Sequence, residues 1–185
     1  SSSGQVTVDV PAAAGTNTLT FPAATGNIIT NKTAGTIIQV VNFTTGASAT
    51  GTTQMVGDDT IPQNDEGDEY MTLAVTPTNS SNKLIINVRA NVIHSGTAGA
   101  HYGALFQDST ANALATAWAA KNAAAHNPTM LVIDHYMTAG TTSETTFKFR
   151  SGISVSGTTT FNGVLGARFF GGSFASSITI TEVAT

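Results

Sequence analysis

Residues 83–94 (KLIINVRANVIH) alternate without a break, and this run constrains the fold more than any other part of the chain. Leu84, Ile86, Val88, Ala90 and Val92 fall on one face, whereas Ile85, Asn87, Arg89, Asn91 and Ile93 fall on the other. One purely apolar face and one mixed face describe a β-strand buried on one side and partly covered on the other. A neighbouring subunit is the expected source of that second cover, with Ile85, Arg89 and Ile93 at the contact. Strand-like runs at 70–76 and 102–107 flank it, separated from it by a Pro/Asn/Ser turn and a Gly-containing loop.

Further candidate strands recur at short intervals, at 37–43, 52–56, 113–119, 130–137, 145–150, 166–170 and 174–183. The linkers between them are rich in Gly, Asn, Asp, Thr and Ser, including the Asn162–Gly163 turn signal. Short strands with frequent turns predict an all-β sandwich or barrel. Residues 111–126 (ANALATAWAAKNAAAH) resist this pattern, because alanine is the best helix former. Leu114, Thr116 and Trp118 alternate with small residues there, so the expectation is a strand to about Ala119 and then a loop.

The first 36 residues read differently. VPAAAGTNTLT is followed directly by FPAATGNIIT, so Pro11 aligns with Pro22 and Gly15 with Gly26. One such unit cannot bury an apolar face alone, and copies stack or wind together. Residues 1–36 are therefore expected to form a short β-structured stem or attachment segment, with a plain linker as the alternative, and residues 37–185 a head domain.

Composition excludes several function classes. Charged residues make up only 10% of the 185-residue chain, against about 25% in an average soluble protein. The net charge is −4 and the Lys and Arg residues are scattered, which argues against a nucleic-acid partner. Cysteine is absent, so there are no disulfides or thiolate metal sites, and stability has to come from the core or from oligomerisation. No apolar run is long enough for a membrane span, and SSSGQVTVDV lacks the basic start of a signal peptide.

Candidate chemistry is sparse. Asp58, Asp59, Asp65, Glu66, Asp68 and Glu69 crowd one stretch, and Asp65, Glu66 and Asp68 could contribute oxygens to a structural cation. Their spacing does not match a calcium loop, and a solvated loop, or pairing with Arg89, Arg150 or Arg168 across subunits, is the competing expectation. His94 and His101 flank one Gly loop but make an incomplete zinc site on their own. Asp134 and His135 are strand neighbours and point to opposite faces, so they cannot work as a catalytic pair. With no G-x-S-x-G, P-loop, G-x-G-x-x-G or H-E-x-x-H signature, no enzyme is expected. Trp118, followed by Lys121, Asn122, His126 and Asn127, offers an aromatic face with polar partners, the mixture that a sugar ring requires; core or interface filling is its other reading. Tyr136 and Phe170 are further subunit-interface candidates.

The order of elements resembles the C1q/tumour-necrosis-factor jelly roll. The resemblance rests on Ala104-Leu105-Phe106-Gln107-Asp108 after a long alternating strand, on residues 131–136 leading to 147–150, and on residues 169–174 running into 178–180. Asp59-Thr60-Ile61-Pro62-Gln63, residues 75–86 and Phe21-Pro22-Ala23-Ala24-Thr25-Gly26 are similar to phrases of bacteriophage tail-fibre and virion structural proteins. This resemblance covers most of residues 10–183. It implies a C1q/TNF-like jelly-roll β-sandwich head on a homotrimer, carried on a virion as a fibre, spike or surface decoration. It brings no catalytic residue and no recognisable calcium ligands. The expected role is adhesion to a host cell-surface glycan, with attachment to other virion proteins through the N-terminal segment. The alternative is a purely structural capsid-decoration or tail-assembly subunit.

Overall fold

A computed structural model describes residues 34–96, 99–120 and 126–185. The expected stem, with its PAAxG repeats, lies outside the described residues except for 34–36.

The described residues form twelve strands in chain order. These are β1 (Ile37–Thr45), β2 (Ala49–Gly51), β3 (Asp68–Val75), β4 (Lys83–His94), β5 (Ala100–Gln107) and β6 (Ala115–Ala120). They continue with β7 (Pro128–Thr138), β8 (Thr145–Ile153), β9 (Thr159–Phe161), β10 (Gly163–Val164), β11 (Ala167–Arg168) and β12 (Ser176–Val183). A 3-10 turn at Phe170–Gly172 precedes β12.

Two antiparallel sheets carry the fold. One runs β1-β12-β4, with β7 on the far edge of β4; β9 pairs the end of β4 beyond β12, and β2 extends from β9. The other runs β3-β8-β5-β6. Counting only the eight long strands, one sheet holds the first, eighth, third and sixth, and the other the second, seventh, fourth and fifth. That order is the double Greek key of a jelly roll.

The core lies between the sheets, and β4 is its central strand. Leu84, Ile86, Val88, Ala90 and Val92 are completely buried, as the alternation predicts. They meet Leu131 and Ile133 of β7, Ile178 and Ile180 of β12, and Leu105, Phe147 and Phe149 of the opposite sheet. Ala90 apart, each such side chain stabilises the fold by about 1.5–3 kcal/mol relative to exposure.

One end of this core is closed by a carboxylate. Glu182 is fully buried on the inner face of β12. It accepts hydrogen bonds from Gln39 Nε2 (2.6 Å), Asn82 Nδ2 (2.6 Å), and the Thr78 hydroxyl and backbone N–H (2.8 Å each). Burial pushes its pKa up, but these bonds together outweigh it and hold the carboxyl below its ordinary range.

The second face of β4 is answered in two ways. At its C-terminal end the chain covers itself: Ile93 is buried, and Asn91 donates to the Ala175 carbonyl (2.8 Å) and receives the Asn162 N–H (3.0 Å). The expectation that a neighbouring subunit must cover Ile93 is corrected accordingly. Further along, the face is open. Val40, Thr181, Ile85 and Tyr136 form one row across four strands, followed by a polar row of Asn42, Thr179, Asn87 and Asp134.

Three expected elements differ. Residues 52–56 are a loop, not a strand. The strand expected at 166–170 is cut to the two residues of β11, because Leu165, Gly166, Phe170 and Gly171 on either side adopt φ of 52°, 80°, 47° and 64°, which no strand allows. The short β9 arises where only a linker was expected. Residues 115–120 are a strand despite their alanines. Ala115, Ala117 and Ala119 pack on the core while Thr116 and Trp118 face outward, so tertiary packing overrides helix propensity.

Candidate functional site

The acidic stretch builds a loop that folds across the outer face of the four-stranded sheet. Asp68, at the start of β3, accepts both the backbone N–H and the hydroxyl of Thr53 (2.9 Å each). Glu66 accepts the N–H groups of Val56 and Gln63 (2.9 Å each), and Gly67 N–H reaches the Gln54 carbonyl (2.9 Å). Arg150 donates to the Glu66 and Gly67 carbonyls (3.0 and 2.7 Å) and lies 3.7 Å from the Glu69 carboxylate. The pairing of acidic residues with Arg150 thus occurs within one chain. So anchored, the loop presses Met55 onto Ala104 and Phe106 as a second small core, with Tyr102 and Ala113 at its margin.

These carboxylates are used within the loop itself. Glu66 and Asp68 spend oxygens on loop backbone, and Asp65 joins them in no cluster. Among the described residues no three His, Cys, Asp or Glu come together to hold a metal. His94 and His101 are both buried, with ring centroids 6.4 Å apart in an edge-on arrangement.

Between the loop and the sheet lies a cleft of about 170 Å³. Tyr102 of β5 and Trp118 of β6 are direct cross-strand partners, so both rings stand on the same outward face. The loop side is formed by Met55, Val56, Gly57, Asp58, Thr60 and Pro62. Gly57 is required there, because a Cβ would overlap the Tyr102 hydroxyl. Trp118 is 67% exposed, although it is the only tryptophan in the chain and the phenylalanines of this sheet are buried. Asp58 Oδ1 accepts the Thr60 N–H (2.8 Å) and hydroxyl (2.5 Å), and Oδ2 takes no hydrogen bond from the described residues. The Thr60 hydroxyl, then its N–H, hold the Asp58 carboxyl below the ordinary range, so it is an anion at neutral pH. An exposed indole with a carboxylate and a hydroxyl at its rim can stack on the C–H face of a sugar and accept its hydroxyl protons.

The site differs from the set expected around Trp118. Lys121 and Asn122 lie outside the described residues. His126 sits at φ 57° with its N–H on the His94 carbonyl (3.1 Å), and lines a different cleft of about 310 Å³ with Thr50, Ser95, Thr158, Thr160 and Leu165. Asn127 is half-buried beside it in sequence, at the approach to β7. Tyr102, Asp58 and Thr60 take the places beside Trp118. The outward alternation of Tyr102 was readable, but the register that brings it to Trp118 was not.

Of the interface candidates, Ile85 and Tyr136 are register partners on the open outer face, and Arg89 pairs with Val132 two rows away. Tyr136 is 62% exposed and Ile85 half-buried. Phe170 stands on a separate element, the 3-10 turn, 4.0 Å from the Phe169 ring centroid. Asp134 accepts the Asn87 side-chain amide (2.6 Å) on the outer face, while His135 lies half-buried on the inner one, where burial lowers its pKa. They form no catalytic pair.

No protein-family model and no curated protein matches this chain. Solved structures do align with it at low similarity. Eiger TNF from S. frugiperda aligns at 7% identity and TM-score 0.45, covering 78% of this chain and 93% of that one. Infectious bursal disease virus, Gt strain, aligns at 11% identity and TM-score 0.38, covering 89% of this chain and 43% of that one. Dimeric latent PorU from Porphyromonas gingivalis aligns at 10% identity and TM-score 0.37, over 84% of this chain and 14% of that one.

Proposed function

We propose that this chain is a non-enzymatic virion surface protein, a bacteriophage fibre, spike or decoration, whose jelly-roll head binds host-surface carbohydrate in the Trp118 cleft. The observation that carries the binding role is the lone tryptophan, left two-thirds exposed beside Tyr102 and the Asp58 carboxylate. A fold that buries Phe106, Phe147, Phe149 and Phe161 completely has no packing reason to leave its largest side chain in water.

The head assembles as a homotrimer through the open face of the six-stranded sheet, where Val40, Met130, Val132 and Tyr136 are exposed. Residues 1–36 attach it to other virion proteins. Three copies of a weak site then act together on a surface bearing many sugars, and avidity exceeds single-site affinity wherever geometry allows simultaneous contact. The same open face also supports a second reading, a structural subunit seated on a neighbouring virion protein with no receptor.

A glycan array probed with the full chain, wild type and Trp118→Ala, tests the binding role. Saturable binding that disappears in Trp118→Ala is the expected result. Absence of binding to every glycan removes the adhesion role and leaves the structural one.

A further inference from the structure

The charge arrangement of the Trp118 cleft carries a further step, one that rests on the carbohydrate reading above. We infer that the cleft takes a single uncharged sugar ring and rejects acidic sugars such as sialic and uronic acids. Its volume of about 170 Å³ is below the roughly 300–1,000 Å³ of pockets for drug-sized ligands, which leaves room for one ring.

Among the described residues, Asp58 is the only charged side chain lining the cleft. Asp59 follows it in the chain and is exposed. No described Lys or Arg lines the cleft. The cations of this sheet are already engaged: Lys148 and Arg150 both face Glu69, and Arg150 also donates to two loop carbonyls.

A sugar carboxylate stacked over Trp118 would therefore sit near Asp58 with no cation among the described lining residues to neutralise it. Juxtaposed like charges discriminate by exclusion as effectively as a new contact discriminates by attraction. A neutral ring meets the opposite situation, because Asp58 Oδ2 is an ionised acceptor with no internal donor and a hydroxyl pair or acetamido N–H supplies what it lacks. Val56 and Pro62 give an apolar side for a methyl or C–H edge.

Matched neutral and uronic members of glucose, galactose and mannose, displayed multivalently and titrated against the full chain, separate the outcomes. The neutral member of the bound pair is expected to bind about tenfold tighter or more. Asp58→Asn should bring that ratio close to one. Glu144→Gln makes the same change in net charge on the exposed turn before β8, outside the cleft, and should leave the ratio unchanged. Trp118-dependent binding of acidic members as tight as the neutral ones overturns the selectivity and leaves the carbohydrate reading standing. Equal effects of Asp58→Asn and Glu144→Gln also overturn it, since selectivity would then reflect overall charge. Binding of no sugar at all sinks the carbohydrate reading and the selectivity with it.

Discussion

The two sheets treat their outer faces in opposite ways. The four-stranded sheet is capped by its own chain, as residues 52–67 lie across it and seal Phe106 beneath Met55. The six-stranded sheet has no such cover over its middle among the described residues. Its row of Val40, Thr181, Ile85 and Tyr136 is open, and the next row is satisfied internally, with Asn42 donating to Thr179 (2.8 Å) and Asn87 to Asp134 (2.6 Å). A sheet that needs its second face buried obtains cover from the chain or from a partner. Here one sheet has done the first, and its finished surface is where the exposed tryptophan stands. The other retains exposed apolar area beside internally paired polar side chains, a surface suited to subunit contact.

The largest effect expected from breaking this contrast is on assembly. Tyr136→Asp places a carboxylate two residues from Asp134 on the open face, and a desolvated unpaired charge is not tolerated in an interface. Light scattering should show a trimer for the wild type and a monomer for the variant, with unchanged far-UV circular dichroism because Tyr136 is exposed within the chain. A variant that remains trimeric locates assembly elsewhere.

On the covered face, Phe106→Ala should cost about 3–5 kcal/mol and Met55→Ala about 2–5 kcal/mol in denaturant unfolding. Both side chains are 1% exposed. If the loop were only draped over the sheet, Met55→Ala would fall within the range of surface substitutions, and the claim that this face is finished by its own chain would fail.

Glu182→Gln asks whether the open sheet is also self-sufficient. Its carboxylate joins β1, β12 and the turn before β4, and replacing one oxygen by an amide sets a donor against donors. A loss of about 1–3 kcal/mol at pH 7 is expected. The folded pKa is depressed, so the stabilisation is full above the unfolded carboxyl pKa and is lost as pH falls through the folded value. Denaturation of the wild type should therefore show an acid-side decline below about pH 5 that is reduced in the variant. If trimer contacts alone held this sheet together, the substitution would cost little at either pH.

How much of this was legible in the sequence depended on how local the cause was. Residues 83–94 were read to the residue, because unbroken alternation needs no knowledge of partners. Residues 52–56 offered the same β-formers, yet Asp68 and Glu66 capture their backbone from ten or more positions away, and no periodicity reports that. The strand expected at 166–170 was cut to Ala167–Arg168 by positive φ at Leu165 and Phe170 as well as at glycines, a conformation that bulky residues do not advertise. The cleft failed in part for the same reason as the loop. Trp118 was singled out by residue type, but its neighbours in the cleft come from cross-strand register and a distant loop, whereas His126, expected beside it, lines another cleft.

The smallest expected effect bears on the contrast most directly. Trp118→Ala should change stability by no more than about 0.5 kcal/mol, since an exposed side chain on a finished face contributes little to folding. With one tryptophan in the chain, intrinsic fluorescence reports this position alone. Emission from the native protein should lie close to that of the unfolded chain and shift to shorter wavelength when a neutral sugar stacks on the indole. Native emission already blue-shifted, together with a stability loss of several kcal/mol in Trp118→Ala, would mean that a second copy covers this ring. The capped sheet would then also be a subunit surface, and the division between one face finished by the chain and one finished by a partner would no longer hold.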